Sequence, residues 1–240
     1  MAETTLARGA EVHHTHRDVS GGWLRPAVFG AMDGLVSNVA LISGIAAAAG
    51  RHTHIIVITG LAGLLAGAFS MAVGEWTSVN SQSELVRAEI AKEQRELRRK
   101  PEAERRELAA LFHARGVPAG LADQVASELS RDPELVWRIH VREELGVDPD
   151  NLPSPYVAAS SSLVSFAAGA FVPLAPYVFG ATHLWLSLLV AGVSLAVLGA
   201  SVARFTDRPA WLGAARQLGL GAAAAAITYG VGSAFGVGLS

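Results

Sequence analysis

Long apolar stretches, separated by short polar connections, make up most of the chain outside one charged central segment. Residues 26–49 contain a single charged side chain, Asp33, and residues 55–79 contain only Glu75. At about 1.5 Å of rise per residue, a helix of this length exceeds a bilayer core of about 30 Å. Three later stretches, each with at most one charged residue, are residues 156–179, 183–203 and 211–239. The pattern predicts an all-α, polytopic membrane protein with five transmembrane helices.

The segment between the second and third apolar stretches is charged and has a different periodicity. Apolar residues recur there at steps of three and four, as in Leu108, Leu111 and Phe112, which is typical of amphipathic helices. The predicted helix starts in this segment are, in chain order, Ser83, Pro101, the residue after Pro118, and Pro133. The pattern therefore predicts a small, water-exposed helical bundle inserted between spans two and three.

These boundaries divide the chain into four predicted parts. They are a flexible, histidine-containing tail at residues 1–22, transmembrane helices one and two at 23–82, the helical domain at 83–153, and transmembrane helices three to five at 154–240. The tail holds His13, His14 and His16 but lacks the charged-then-apolar order of a cleavable signal peptide.

Composition agrees with a membrane protein and excludes several other classes. The chain is 51% hydrophobic and 17% charged, whereas soluble proteins average about 25% charged residues. A formal net charge of -2 excludes a strongly basic nucleic-acid binder. The absence of cysteine excludes disulfides and thiolate-ligated metals. Arginine outnumbers lysine by 17 to 2, which suggests a GC-rich bacterial genome.

The distribution of arginine and lysine orients the five predicted spans, because cytosolic loops carry an excess of these residues. Of the 19 basic residues, 18 precede span one, follow span two or surround the loop after span four. Arg51 alone falls on the other side. The N-terminus and the helical domain are therefore predicted to be cytosolic, and the C-terminus is predicted to lie outside.

Two carboxylates fall within the predicted spans, Asp33 and Glu75. A charged side chain at the centre of a bilayer costs about 2.5 to 3.5 kcal/mol on insertion scales, so such residues usually face a polar pathway. Met71 lies four residues before Glu75, which places the thioether and the carboxylate on one helix face. The alternative is that Asp33 caps span one and that Glu75 reaches the same interface.

Carboxylates are regularly spaced in the helical domain. Glu89, Glu93 and Glu96 form one helical stripe, and Glu104 and Glu107 repeat the three-residue step. Further candidate ligands near the end of the domain are His140, Glu143 and Glu144. Clustered acids suit divalent ions such as Mn(II), Fe(II), Mg(II) or Ca(II), and an imidazole favours Fe or Mn over Ca. The alternative is an ordinary solvated surface, since arginines are interleaved with these acids.

Several motifs resemble those of the vacuolar iron transporter family. They are, in order, Met32-Asp33-Gly34-Leu35-Val36, Gly67 to Trp76, Pro101-Glu102, Glu144-Leu-Gly146 and Phe171 to Tyr177. The resemblance implies five transmembrane helices per subunit, a homodimer with the pathway between subunits, and a cytosolic metal-binding domain between spans two and three. It also implies export of cytosolic Fe(II), and often Mn(II), into a vacuole or out of the cell in exchange for protons.

The resemblance implies roles at particular positions. Asp33 resembles the pathway acid of span one and Met71 the sulfur ligand of span two, with Glu75 in the same motif. The residues that resemble the family's metal-binding glutamates are Glu93, Glu96, Glu104, Glu107 and Glu144.

Two positions depart from the family pattern. The closing helix of the family's metal-binding domain commonly has methionine and a further ligand where this chain has His140 and Val141. His140 could replace the sulfur ligand with nitrogen, whereas Val141 cannot bind metal. Glu143 could compensate by a shift of register.

We therefore expect a secondary transporter rather than an enzyme, a proton-coupled exporter of Fe(II) or Mn(II) in the cytoplasmic (inner) membrane of a bacterium. Its expected partners are a second copy of the chain, lipids, divalent metal ions and protons, with no nucleic acid and no permanently bound cofactor. A membrane-anchored metal sensor or buffer is the alternative, and it predicts binding without flux. A di-iron oxidase is a third hypothesis, but neither His113 nor His140 has a glutamate three residues earlier, as such sites usually require.

Overall fold

The computed structural model describes residues 22–50 and 52–236, and this part of the chain is all-helical. Its α-helices, in chain order, are α1 (Leu24–Ala49), α2 (Thr53–Arg99), α3 (Pro101–Ala114), α4 (Ala119–Leu129), α5 (Pro133–His140), α6 (Pro155–Val178), α7 (Leu184–Phe205) and α8 (Ala210–Gly236). A π-helical turn, Val141–Leu145, directly follows α5. The predicted tail with His13, His14 and His16 lies outside the described residues.

Within the described residues, five helices are long and apolar enough to cross a membrane, namely α1, α2, α6, α7 and α8. Each begins within two residues of the predicted start. In each helix, less than half of the most apolar 18-residue stretch is buried inside the protein. The remaining apolar surface suits contact with lipid, and the prediction of an all-α fold with five such helices is confirmed.

The second predicted span and the charged helix that follows it form one helix in the structure. This helix, α2, contains 47 residues. Between Gly74 and Lys100 the sequence has neither glycine nor proline, the residues that most weaken a helix interior. The change from apolar to charged residues alters the helix's surroundings but does not interrupt its backbone hydrogen bonds.

The membrane-type helices pack around α1, which has its most extensive contacts with α6 and α8. Backbones approach closely at these crossings. A Cβ added at Gly34 would collide with the carbonyl oxygen of Phe166, and one added at Gly232 would collide with that of Gly44. Small residues permit such close packing between membrane helices.

The charged end of α2 packs with α3, α4 and α5 into a small helical unit, here called the polar domain (residues 83–145). Its apolar core is formed by Leu108, Ala109, Ala126 and Val136. Asp132 caps α5 because its Oδ1 accepts hydrogen bonds from the backbone N–H groups of residues 134 and 135, at 2.9 and 3.2 Å. The core packs α5 into the domain, and the cap fixes where α5 begins.

Candidate functional site: a carboxylate and histidine cluster and a membrane groove

Three helices of the polar domain bring potential metal ligands together. Glu93 lies on α2, Glu104 on α3 and His140 at the end of α5. One ligand atom from each of these side chains lies within 4.8 Å of the others. Glu104 is 6% exposed and His140 is fully buried, so the cluster (Glu93, Glu104 and His140) is enclosed by the domain rather than spread over its surface.

Glu144 extends the cluster from the π-helical turn. The Nδ1 atom of His140 lies 2.7 Å from Glu144 Oε1 and 3.1 Å from Glu93 Oε1. When Glu144 is ionised its carboxylate only accepts hydrogen bonds, so Nδ1 then carries the hydrogen and donates a hydrogen bond to Glu144. The other ring nitrogen, Nε2, is buried and has no hydrogen-bond partner among the described residues. Histidines that bind metals typically donate their second N–H to a carboxylate in this way.

Burial and neighbouring charges shift the pKa values of Glu104, Glu144 and His140. Burial raises the pKa of the Glu104 carboxyl, and repulsion by Glu93 and Glu107 raises it further. Burial also raises the pKa of Glu144, although the hydrogen bond with His140 opposes this. Burial lowers the pKa of His140, but hydrogen bonds to Glu93 and Glu144 outweigh it and raise the pKa overall. Protons therefore bind this cluster more readily than they bind isolated side chains of the same types.

The mixed ligand set also indicates which ions would suit it. Carboxylates prefer ions such as Mg, Ca and Mn, while imidazole suits Fe, Zn, Cu and Ni. Two carboxylates with one imidazole therefore favour a borderline divalent transition metal over a purely oxygen-seeking one. A cation held among these side chains would reduce the repulsion between the carboxylates.

Other predicted ligands lie outside the three-residue group. Glu96 and Glu107 are exposed, and Glu89 pairs with Lys92 at 3.7 Å. Glu143 is held by Arg115, whose Nη1 contacts the Glu143 carboxylate and whose Nη2 donates to its backbone oxygen at 3.3 Å. Val141 is fully buried, and its side chain offers no ligand atom.

A second candidate site is a cavity of about 450 Å³ between α1 and α2, here called the membrane groove. Its lining residues are Asp33, Ser37, Asn38, Leu41, Gly63, Gly67, Ser70, Met71 and Phe166. The structure thus brings two of the predicted pathway residues, Asp33 and Met71, to one cavity. These oxygen and sulfur atoms lie within the apolar stretches of α1 and α2.

The structure also places Ser37, Glu75 and Asn38 relative to the groove. Oδ1 of Asp33 accepts a hydrogen bond from Ser37 Oγ at 3.0 Å. Glu75, one turn beyond Met71 on α2, does not line the groove. Asn38 was not predicted, although an amide five residues after Asp33 in an apolar helix is a signal that the sequence contains.

Comparison with known proteins agrees with this architecture. A model of the VIT family matches residues 24–233. The chain belongs to the VIT family. A protein of Acanthamoeba castellanii named vacuolar iron transporter is 38% identical over 90% of this chain and 81% of its own length. Two rice proteins (Oryza sativa subsp. japonica), vacuolar iron transporter 1 and vacuolar iron transporter homolog 1, are 31% and 35% identical, over 92% and 90% of this chain and 90% and 75% of their own lengths.

The comparisons confirm the predicted family and the prediction of a transporter rather than an enzyme, because these relatives are named iron transporters. They overturn the predicted location in the inner membrane of a bacterial cell, since the relatives of this VIT family chain are named for the vacuole. The error has a physical reason. Hydropathy and the distribution of arginine report that a chain spans a membrane and in which orientation, but not which membrane it occupies.

Proposed function

We propose that this VIT family protein moves Fe(II), and also Mn(II), out of the cytosol across a vacuolar membrane in exchange for protons. The observation that carries the proposal is that α2 contributes to both candidate sites. Met71 lines the membrane groove, and Glu93 belongs to the cluster in the polar domain. At about 1.5 Å per residue, these two positions are roughly 33 Å apart along one helix.

In this proposal the polar domain faces the cytosol, as its arginine-rich sequence favours, and captures the ion. Glu93, Glu104 and His140 are the proposed ligands, with Glu144 orienting His140 through its hydrogen bond to Nδ1. Glu96 and Glu107 add negative charge at the surface of the polar domain, where exposed carboxylates raise the local concentration of cations. Glu143 keeps its pairing with Arg115 and supports the π-helical turn.

The membrane groove is the proposed translocation site. Asp33 supplies a carboxylate and Met71 a thioether, and Glu75 lies on the route from the polar domain. A metal ion needs the ionised form of Asp33, so a proton and a metal ion compete for the same oxygen atoms. If a metal ion from one side of the membrane and a proton from the other occupy Asp33 in turn, the metal gradient and the proton gradient are coupled.

A homodimer would complete this pathway. The groove opens on the surface of the single chain, and a second copy of α1 and α2 would give it a further wall. Exposed apolar side chains on other faces of α2, such as Leu65 and Phe69, would contact lipid or the second subunit.

Flux through purified protein in liposomes tests the proposal. With an imposed pH gradient, we expect uptake of Fe(II) under anoxic conditions and of Mn(II), and we expect Asp33→Asn to abolish the dependence on the gradient. Asp123→Asn is the matched control, because Asp123 lies on α4 and pairs with Arg105 at 3.6 Å, outside both sites. Metal movement by Asp33→Asn that still follows the proton gradient would remove Asp33 from the coupling step.

A second candidate function is that of a membrane-anchored metal sensor or buffer. The observation in its favour is that the cluster of Glu93, Glu104 and His140 is complete within one chain and lies outside the membrane groove. This function predicts metal binding to the full-length protein without flux. The liposome assay, combined with a direct binding measurement, separates the two.

A further inference from the structure

Asn38 is a buried amide of α1 that lines the membrane groove. The residue is 3% exposed, and its Nδ2 donates a hydrogen bond to the backbone oxygen of Ala170 on α6, at 2.6 Å. Its Oδ1 is buried and has no hydrogen-bond partner in the described part of the chain. Buried polar side-chain atoms are rarely unpartnered, so this oxygen indicates a group that the protein chain does not itself supply.

The contact with Ala170 fixes the direction in which the oxygen points. A backbone carbonyl only accepts hydrogen bonds, so the amide nitrogen must face Ala170 and Oδ1 must face away from it. On that side lies Gly63 of α2, where an added Cβ would be 3.5 Å from Oδ1. Gly63 lines the same cavity as Asp33 and Met71, so the free oxygen lies on the groove side of α1.

The chemistry of the groove suggests what this oxygen meets. An amide oxygen is a neutral ligand that Ca(II), Mg(II), Mn(II) and similar ions accept readily, whereas a thioether prefers softer ions. A neutral oxygen contributes to binding without adding the charge of a second carboxylate. Such moderate binding suits a transport site, because the ion must also leave.

We propose that Oδ1 of Asn38 coordinates the metal ion in the membrane groove and shifts the preference of the site toward oxygen-seeking ions. This inference rests on the proposed transport function. Asp33, Asn38 and Met71 would then supply a charged oxygen, a neutral oxygen and a sulfur from two helices. Anchoring of the amide by α6 holds the oxygen in position before the ion arrives.

The experiment compares the full-length protein with two variants in liposomes and measures initial uptake of Fe(II), under anoxic conditions, and of Cd(II). In Asn38→Leu the ligand set keeps its sulfur but loses its neutral oxygen. We expect Fe(II) uptake to fall by about tenfold and Cd(II) uptake to fall less, so the ratio of Cd(II) to Fe(II) uptake rises. Gln217→Leu is the matched control, since Gln217 is a buried amide of α8 that donates to Met32 Sδ at 3.3 Å and does not line the groove. Its uptake ratio should stay at that of the unchanged protein.

The outcomes distinguish this inference from the function on which it rests. Equal losses of Fe(II) and Cd(II) uptake in Asn38→Leu would mean that Asn38 only joins α1 to α6, and would overturn the inference alone. No Fe(II) uptake by the unchanged protein would overturn the proposed function and the inference with it.

A second variant covers the case in which Asn38→Leu does not fold. Asn38→Asp replaces the neutral oxygen with a charged one of nearly the same size. We expect a lower apparent KM for Fe(II) together with a lower maximal rate, because the ion is held more tightly. An unchanged KM with a lower maximal rate would overturn the inference.

Discussion

His140 is the residue on which the polar-domain cluster most depends. It is fully buried, contacts carboxylates from two different elements through Nδ1, and leaves Nε2 without a partner among the described residues. It also occupies a position at which the resemblance implies methionine. The cluster therefore combines carboxylates with an imidazole nitrogen, which binds metal only when it is deprotonated.

Replacement of this imidazole should weaken metal binding. We expect His140→Gln to raise the Kd for Fe(II) or Mn(II) by about 10- to 100-fold, measured by calorimetry on the full-length protein in detergent. His113→Gln is the control, because His113 Nδ1 contacts the backbone oxygen of Val117 at 2.9 Å and lies outside the cluster. Equal Kd values for the two variants would place the binding site elsewhere.

Metal binding to the cluster should depend on pH. The pKa values of Glu104 and Glu144 are raised from the ordinary 4.5, so these carboxyls hold their protons to a higher pH than an isolated glutamate does. The pKa of His140 is likewise raised from the ordinary 6.5. Since a metal must displace these protons, affinity should fall as the pH falls through the raised pKa values of His140, Glu104 and Glu144. Metal titrations across this range, with proton release recorded in two buffers, measure the effect.

A matched pair of variants assigns this pH dependence to the cluster. Glu104→Gln should make the change of affinity with pH less steep, because one competing proton is removed. Glu128→Gln should leave it unchanged, since Glu128 is an exposed partner of Arg131. The same steepness in Glu104→Gln as in the unchanged protein would exclude Glu104 from the proton competition.

The candidate ligands could be predicted from sequence only in part. Spacing along one helix places Glu89, Glu93 and Glu96 on a single stripe, but it does not say which of them meets another helix. That depends on how α2, α3 and α5 pack, and the structure turns Glu93 inward while Glu96 is exposed. The pairing of Glu143 with Arg115 likewise joins positions 28 residues apart, a distance at which helical periodicity gives no information.

At the scale of the helices, α2 is the element that relates the two candidate sites. A break in α2 should uncouple the polar-domain cluster from the membrane groove. We expect Ser81→Pro, which removes a backbone hydrogen bond and costs about 3 kcal/mol in a helix interior, to reduce metal flux strongly while metal binding by the polar domain persists. Ser81 is exposed, so Ser81→Ala is a control for the lost side chain. Full flux in the proline variant would show that the continuity of α2 is not needed.

The helices themselves were largely predictable because their signals are local. An apolar stretch that exceeds the bilayer thickness can be recognised without any knowledge of its neighbours, and the first turns at Pro101 and Pro133 follow from the fixed φ angle of proline. The continuity of α2 was missed for an equally local reason. A change of polarity near residue 80 looks like a boundary, although the residues on both sides are compatible with one helix.

On the scale of the whole molecule, close helix crossings hold the membrane-type helices together. Gly34→Ala should destabilise the protein because the new methyl group would meet the backbone of α6 at Phe166, and a packed backbone cannot move aside cheaply. Gly74→Ala has open space and should be neutral or stabilising, by up to about 1 kcal/mol, since alanine favours the helix. Thermal unfolding in detergent measures both variants. Equal melting temperatures would contradict the role assigned to Gly34.

The length of α2 has a consequence for the concentration of metal that the protein experiences. Glu93 lies 14 residues beyond position 79, the predicted end of the second span, which corresponds to about 21 Å along the helix. The Debye length at physiological ionic strength is about 8 Å, so the negative potential of a lipid surface is largely screened at this distance. In the proposed placement, the cluster therefore lies beyond the layer of cations that accumulates against anionic headgroups. Its occupancy should follow the free ion concentration of the bulk solution and change little with the lipid composition of the membrane.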